Sequence, residues 1–223
     1  MGSSTNSYAR VWNARLDDLH DPPGEPLYAR GDYIADALAA PTVAIVGARA
    51  CSGYGAQVAR TFGHQLATAG VTVVSGLARG VDAEAHRGAL DAHGRTVAVL
   101  GCGIDRDYPA AHAELARRIS ERGGIVSEYE PGLEPAPWRF PARNRIIAAL
   151  AAAVVIVEAR TRSGALITVD LAMEIGRPIY AAPGEITSPL SDGTNELLRH
   201  GHATAITSAR DVLTALGIGG VSQ

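Results

Sequence analysis

The sequence contains no lysine; its 20 basic residues are all arginine and stand against 23 Asp and Glu, for a formal charge of −3. A chain with this balance is not a basic coat for nucleic acid, so any contact with a polyanion must come from a local patch. The missing lysine, beside abundant Ala, Gly and Arg, reads as a compositional bias with no mechanism attached. Cysteine is nearly absent too: Cys51 and Cys102 alone exclude a disulfide framework. Aromatics make up only 5% of a chain that is 47% hydrophobic, so its core must be built from Val, Ile, Leu and Ala. No apolar run approaches the length of a membrane span, and the N-terminus has no signal-type apolar segment. The expected location is therefore the cytoplasm, away from membranes. Met1-Gly2-Ser3-Ser4 reads as a cloning remnant.

What is present is a regular alternation. Short apolar runs at 43–46, 71–74, 96–100, 125–127, 154–157 and 178–181 read as strands. Helical patterns at 55–69, 81–93, 110–121, 144–151 and 165–175 lie between them, and the tail reads as helix, short strand near 203–206, and helix. Continuous apolar strands alternating with helices predict an α/β protein, an extended Rossmann-like, doubly wound and mostly parallel sheet with helices on both faces. Residues 1–40, with the turn Asp21-Pro22-Pro23-Gly24, read as an arm packed on a core at 41–216, and 217–223 as a tail. Ligands of such sheets sit at the carboxyl ends of the strands.

Those strand ends carry the small and polar residues. Gly47-Ala48-Arg49 begins the first loop, which runs to Gly55. Its glycines allow close backbone approach, the following helix offers free N–H groups, and Arg49 is a planar cation suited to phosphate. The glycine spacing is not the dinucleotide fingerprint, and such a loop serves equally well as a tight turn. Ser75-Gly76 opens the second loop, followed by Asp82 and His86 on one helix face. Two such residues are too few for a metal site, and a capping Asp with a structural His accounts for them. Cys102 follows the third strand, with no neighbouring base to make it a nucleophile.

Between Pro131 and Ala165 five arginines (139, 143, 145, 160 and 162) face only Glu134 and Glu158. Within that stretch Phe140, Arg143, Asn144 and Arg145 combine cations with an aromatic ring, the pairing by which single-stranded nucleic acid is held. Trp138 fits either a stacking platform or an anchor for a long loop. Ser163-Gly164, with Thr168 one turn on, precedes a helix whose N-terminus faces the strand ends.

Taken in order, these segments resemble the DNA processing protein A family, also called DprA or Smf. The matching runs include VAIVGAR at 43–49, SGLARGVD at 75–82, FPARNR at 140–145 and SGALIT at 163–168, and the likeness covers roughly residues 20 to 215. The resemblance implies a non-catalytic single-stranded DNA binder, with no cofactor and no metal. Such a protein protects incoming strands in natural transformation, loads the RecA recombinase and forms homodimers. Carried over, the phosphate and strand site comprises Gly47, Ala48, Arg49, Ser75, Gly76, Phe140, Arg143, Asn144, Arg145, Ser163, Gly164 and Thr168. Ala142 stands where relatives commonly carry Lys. The alternatives within the same superfamily are a phosphoribohydrolase-like nucleotide enzyme, with Glu158 or Glu174 as its acid, and a nucleotide sensor in stress or defence.

Overall fold

The computed structural model describes residues 8–218; Met1–Ser4 and most of the predicted tail at 217–223 lie outside the described residues. Its centre is β3 (Thr42–Gly47), whose side chains are buried up to Val46. Burial on both faces explains the unbroken apolar run, since neither side of the strand meets water. Each fully buried Val or Ile there contributes about 2 kcal/mol relative to exposure.

From β3 the chain passes through α2 (Gly53–Thr68), β4 (Thr72–Ser75), α3 (Val81–Asp91), β5 (Thr96–Leu100), α4 (Ala113–Arg122) and β6 (Gly124–Ser127). It then crosses back through α5 (Arg139–Leu150) to β7 (Ala153–Val157), α6 (Gly164–Glu174), β8 (Ile179–Ala181), α7 (Asp192–Arg199), β9 (Thr204–Ala205) and α8 (Ala209–Ala215). Before β3 lie β1 (Ala9–Val11), β2 (Leu27–Arg30) and α1 (Ile34–Ala39). The described residues form one sheet of order β1-β2-β6-β5-β4-β3-β7-β8-β9. It is parallel from β6 to β9; β2 runs antiparallel to β6, and β1 antiparallel to β2.

Alternation along the strands divides the core. Val43 and Ile45 join α2, α3 and α8 on one face, where α4 packs beside them. Ala44 and Val46 join α1, α5 and α6 on the other. The Rossmann-like, mostly parallel α/β architecture is therefore present. One strand goes unpredicted and one helix boundary needs correction. The short strand β1 has no sequence signature and pairs only at the sheet edge. Helix α5 begins at Arg139, five residues before the predicted start, because Pro141 lies in its first turn, where a missing N–H costs no helical bond.

The strand order places a switch point between β3 and β7. The chain leaves β3 toward β4 on one side and returns to β7 on the other, so the loops after the two strands part company there. This is where parallel sheets of this class receive ligands.

Candidate functional site

A cleft of about 630 Å³ opens at the switch point. Its walls are the Gly47-Ala48-Arg49 loop, the first turns of α5, and the segment from Arg160 to Thr168. Gly47 is required by packing: an added Cβ would overlap Val157 O and approach Val81 Cγ2 to 2.8 Å. The Ala48 N–H donates to Glu158 O at 2.8 Å, which ties the two loops together.

Four arginines line the cleft (Arg49, Arg143, Arg160 and Arg162), against a single carboxylate, Asp82. Arg49, Arg160 and Arg162 are exposed, and among the described residues their guanidinium groups are in no ion pair. Arg49 lies over the Phe140 ring at 5.4 Å from its centroid. Phe140 stacks on Tyr108, with centroids 5.2 Å apart and an interplanar angle of 23°. The back of Phe140 rests on Gly101, where a Cβ would stand 2.9 Å from Cδ1. A second cavity of about 450 Å³ lies along this aromatic pair, lined also by Gly76 and Arg79.

Arg143 is different in kind. It is buried, and its Nη1 donates to Gly76 O at 2.9 Å and to Val99 O. Burial lowers its pKa to about 10, an effect opposed by the charge of Asp82 and aided by Arg49. Asp82 is pushed up by burial, with Arg143 and the N–H groups of Ala78 and Gly76 pulling it back down. Gly76 lies between the two: an added Cβ would stand 2.7 Å from both Arg143 Nη2 and Asp82 Oδ2.

The other residues singled out in the sequence divide in the same way. Gly47, Ala48, Asn144, Ser163, Gly164 and Thr168 line the cleft. Ser163 Oγ accepts from Ala165 N at 3.3 Å and so caps α6, and Asn144 Nδ2 donates to Gly164 O at 3.2 Å. Ser75 is buried beneath the floor, its hydroxyl donating to Ile45 O at 2.6 Å. Arg145 lies outside the cleft lining, paired with both oxygens of Glu128 at 2.5 and 3.1 Å. Trp138 is 63% exposed, packed edge-on to Tyr129, so it anchors no core. Arg160, Arg162 and Tyr108 were not assigned to the site from sequence. The signal for the arginines was their place between β7 and α6, in one of the two switch-point loops.

The start of α2 is partly capped from within the chain. Glu158 is buried there, accepting from Ser52 N at 2.8 Å through Oε2 and from the Ser52 hydroxyl through Oε1. Ser52 Oγ in turn accepts from Gly55 N at 3.1 Å.

The remaining chemistry-bearing groups are structural. Asp82 accepts from the backbone N–H groups of Gly76 and Ala78, and His86 contacts Thr96 at 2.6 Å. Burial raises the Cys102 thiol to about 11, far from a thiolate nucleophile at neutral pH. Among the described residues no three His, Cys, Asp or Glu side chains converge to hold a metal, and no helix is long and apolar enough to cross a membrane.

Fold and site together define a Rossmann-like α/β protein with an arginine-rich cleft, edged by aromatic rings, at its switch point. The chain belongs to the DNA recombination-mediator protein A family, whose profile matches residues 5–217. It is 44% identical over 198 residues to DNA processing protein DprA of Streptococcus pneumoniae, covering 89% of this chain and 68% of that protein. The solved structure of the pneumococcal protein superposes with a TM-score of 0.87 at 40% identity, covering 94% of this chain and 74% of that one. Protein Smf of Escherichia coli K12 is 44% identical over 200 residues, 89% of this chain and 52% of that protein. DNA processing protein A of Helicobacter pylori, which has a single-stranded DNA binding mode, superposes with a TM-score of 0.85 at 35% identity, covering 94% of each chain. This chain spans about half the length of several relatives it matches.

Proposed function

We propose that this chain binds single-stranded DNA in the switch-point cleft without chemical turnover. The observation that carries the reading is the convergence of three arginines (Arg49, Arg160 and Arg162), in no ion pair among the described residues, with the Phe140–Tyr108 stack around one cleft. Arginine forks match phosphate oxygens, and an aromatic face accepts any base, so the pairing suits a strand of arbitrary sequence. The N-terminus of α6, with Ser163 and Gly164, adds N–H groups to the same wall. Arg143 and Asn144 hold this surface in place, and Arg145 fixes the outer side of α5 to Glu128. The buried acids are engaged, Asp82 by backbone N–H groups and Glu158 by Ser52, which supports holding a ligand over cleaving it.

In this reading the chain is a cytoplasmic recombination mediator. As a homodimer it shields incoming strands during natural transformation and delivers them to the RecA recombinase. The name of its family and the DNA binding mode of the Helicobacter pylori relative support this role.

The test is fluorescence anisotropy with a labelled oligothymidylate at low salt. The wild type is expected to bind, and Arg49→Ala to bind at least tenfold more weakly, the loss of one charge-assisted phosphate contact worth about 1.5–3 kcal/mol. Its melting temperature should match the wild type. No binding by the wild type, an unaffected Arg49→Ala, or release of free base from AMP by the wild type would each sink the proposal.

A further inference from the structure

Glu158 stands in an unusual place for a buried acid. It is the first residue after β7, its backbone takes the left-handed conformation at φ 51°, and the residue is 4% exposed. From there the carboxylate reaches across the switch point to the start of α2. One oxygen accepts from Ser52 N at 2.8 Å and the other from the Ser52 hydroxyl. It also lies against Gly55, where an added Cβ would fall 2.5 Å from Cδ of Glu158. The first loop thus has the parts of a phosphate cradle: glycines at 47, 53 and 55, a capping serine, and the N-terminus of a 16-residue helix. The anion that fills it belongs to the chain itself.

A carboxylate at this end of a helix engages the N-cap N–H and hydroxyl and complements the positive end of the dipole, as a phosphate would. While it is there, Ser52 N and the Ser52 hydroxyl are already engaged, and the carboxylate stands against Gly55 where a pyrophosphate oxygen would come. The same contact fixes the loop that presents Arg49. Glu158 holds residues 48–52 by its backbone oxygen on Ala48 N and its carboxylate on Ser52. On the opposite side Val81 N donates to Ala48 O at 3.2 Å. Arg49 is therefore carried out over the cleft toward Phe140 and away from the helix start.

We propose that Glu158 is a specificity-determining and positioning residue. Its carboxylate occupies the phosphate position of the first loop from within, so that the cleft takes a phosphodiester strand across Arg49, Arg160 and Arg162 and rejects a dinucleotide pyrophosphate. The strand half of this statement rests on the proposed function; the occupied phosphate position does not.

The experiment uses the full chain as wild type, Glu158→Gly and Glu158→Gln, melted with and without sodium pyrophosphate at matched ionic strength. Glycine suits φ 51°, so Glu158→Gly empties the position and relieves the backbone together. Pyrophosphate at about ten times its Kd is expected to raise the melting temperature of Glu158→Gly by roughly 3–6 °C more than that of the wild type. Glu158→Gln, whose amide still fills the position, is expected to follow the wild type. Equal shifts in wild type and Glu158→Gly, or a gain in Glu158→Gln as large as in Glu158→Gly, overturn the proposal. If Glu158→Gly melts cooperatively only with pyrophosphate present, the anion has replaced the carboxylate and the proposal stands; if it stays unfolded with pyrophosphate, the proposal falls. Oligothymidylate binding by the wild type is read separately. Its absence removes the strand reading and leaves the pyrophosphate result to decide the role of Glu158.

Discussion

At the scale of single residues, one buried polar group has only half of its hydrogen-bonding capacity met. His86 is fully buried, and its hydrogen bonds determine its tautomer. The Thr96 hydroxyl donates to Val73 O at 2.7 Å, so the 2.6 Å contact between Thr96 Oγ1 and His86 Nδ1 has the imidazole donating. Nε2 is then bare, buried and without a partner. Protonation would place a charged N–H there with no acceptor. Burial accordingly depresses the pKa to about 3, with the charges of His112, Arg143 and Arg87 acting in the same direction. A folded-state pKa below the unfolded value of about 6.5 means that the unfolded chain binds the proton more readily between those limits. Stability is full above pH 6.5 and is lost as pH falls through this window. Urea unfolding should show about 2 kcal/mol less stability at pH 5 than at pH 7 from this group alone. His86→Gln, which has no proton to gain, should lose that portion of the slope. An unchanged slope in the variant would assign the acid sensitivity to another group.

At the scale of elements, Arg143 ties α5 to the ends of β4 and β5 through Gly76 O and Val99 O. That bond places the first turn of α5, and with it Phe140, at the edge of the cleft. Gly76→Ala pushes a methyl between Arg143 and Asp82. It should cost about 1–3 kcal/mol in urea unfolding, the range for overpacking a filled interior, and should also weaken oligonucleotide binding by displacing Phe140. A variant of wild-type stability would show that Arg143 does not clamp the helix. The elements also show what a sequence can reveal. The central strands were legible because burial on both faces leaves an unbroken apolar run. The Gly47, Phe140 and Ser163 segments were legible because loops after parallel strands converge. The start of α5 was read late because Pro141 punctuates a loop as readily as it fills a first turn. The plugging of α2 was not legible at all: Glu158 and Ser52 are 106 positions apart, and nothing local in either segment marks the pair.

At the scale of the whole molecule, a net charge of −3 coexists with a cleft holding four arginines and one carboxylate. Under the proposed function, nonspecific attraction to DNA is weak, and affinity comes from the few phosphates that the cleft itself would touch. Counterion release makes this countable. For a single strand, log K falls with log salt at about 0.7 per neutralised phosphate. Of the four cleft arginines Arg143 is buried, so Arg49, Arg160 and Arg162 remain there to neutralise phosphates. Three contacts give a slope of about −2, or roughly fifteenfold weaker binding between 50 and 200 mM salt. If Arg160 and Arg162 are both replaced by Ala, the slope should shrink to about −0.7 while base stacking on Phe140 persists. Anisotropy titrations across salt concentrations measure both slopes. A wild-type slope near −4 would mean that surfaces beyond this cleft carry the strand, and an unchanged slope in the double variant would place the phosphates elsewhere.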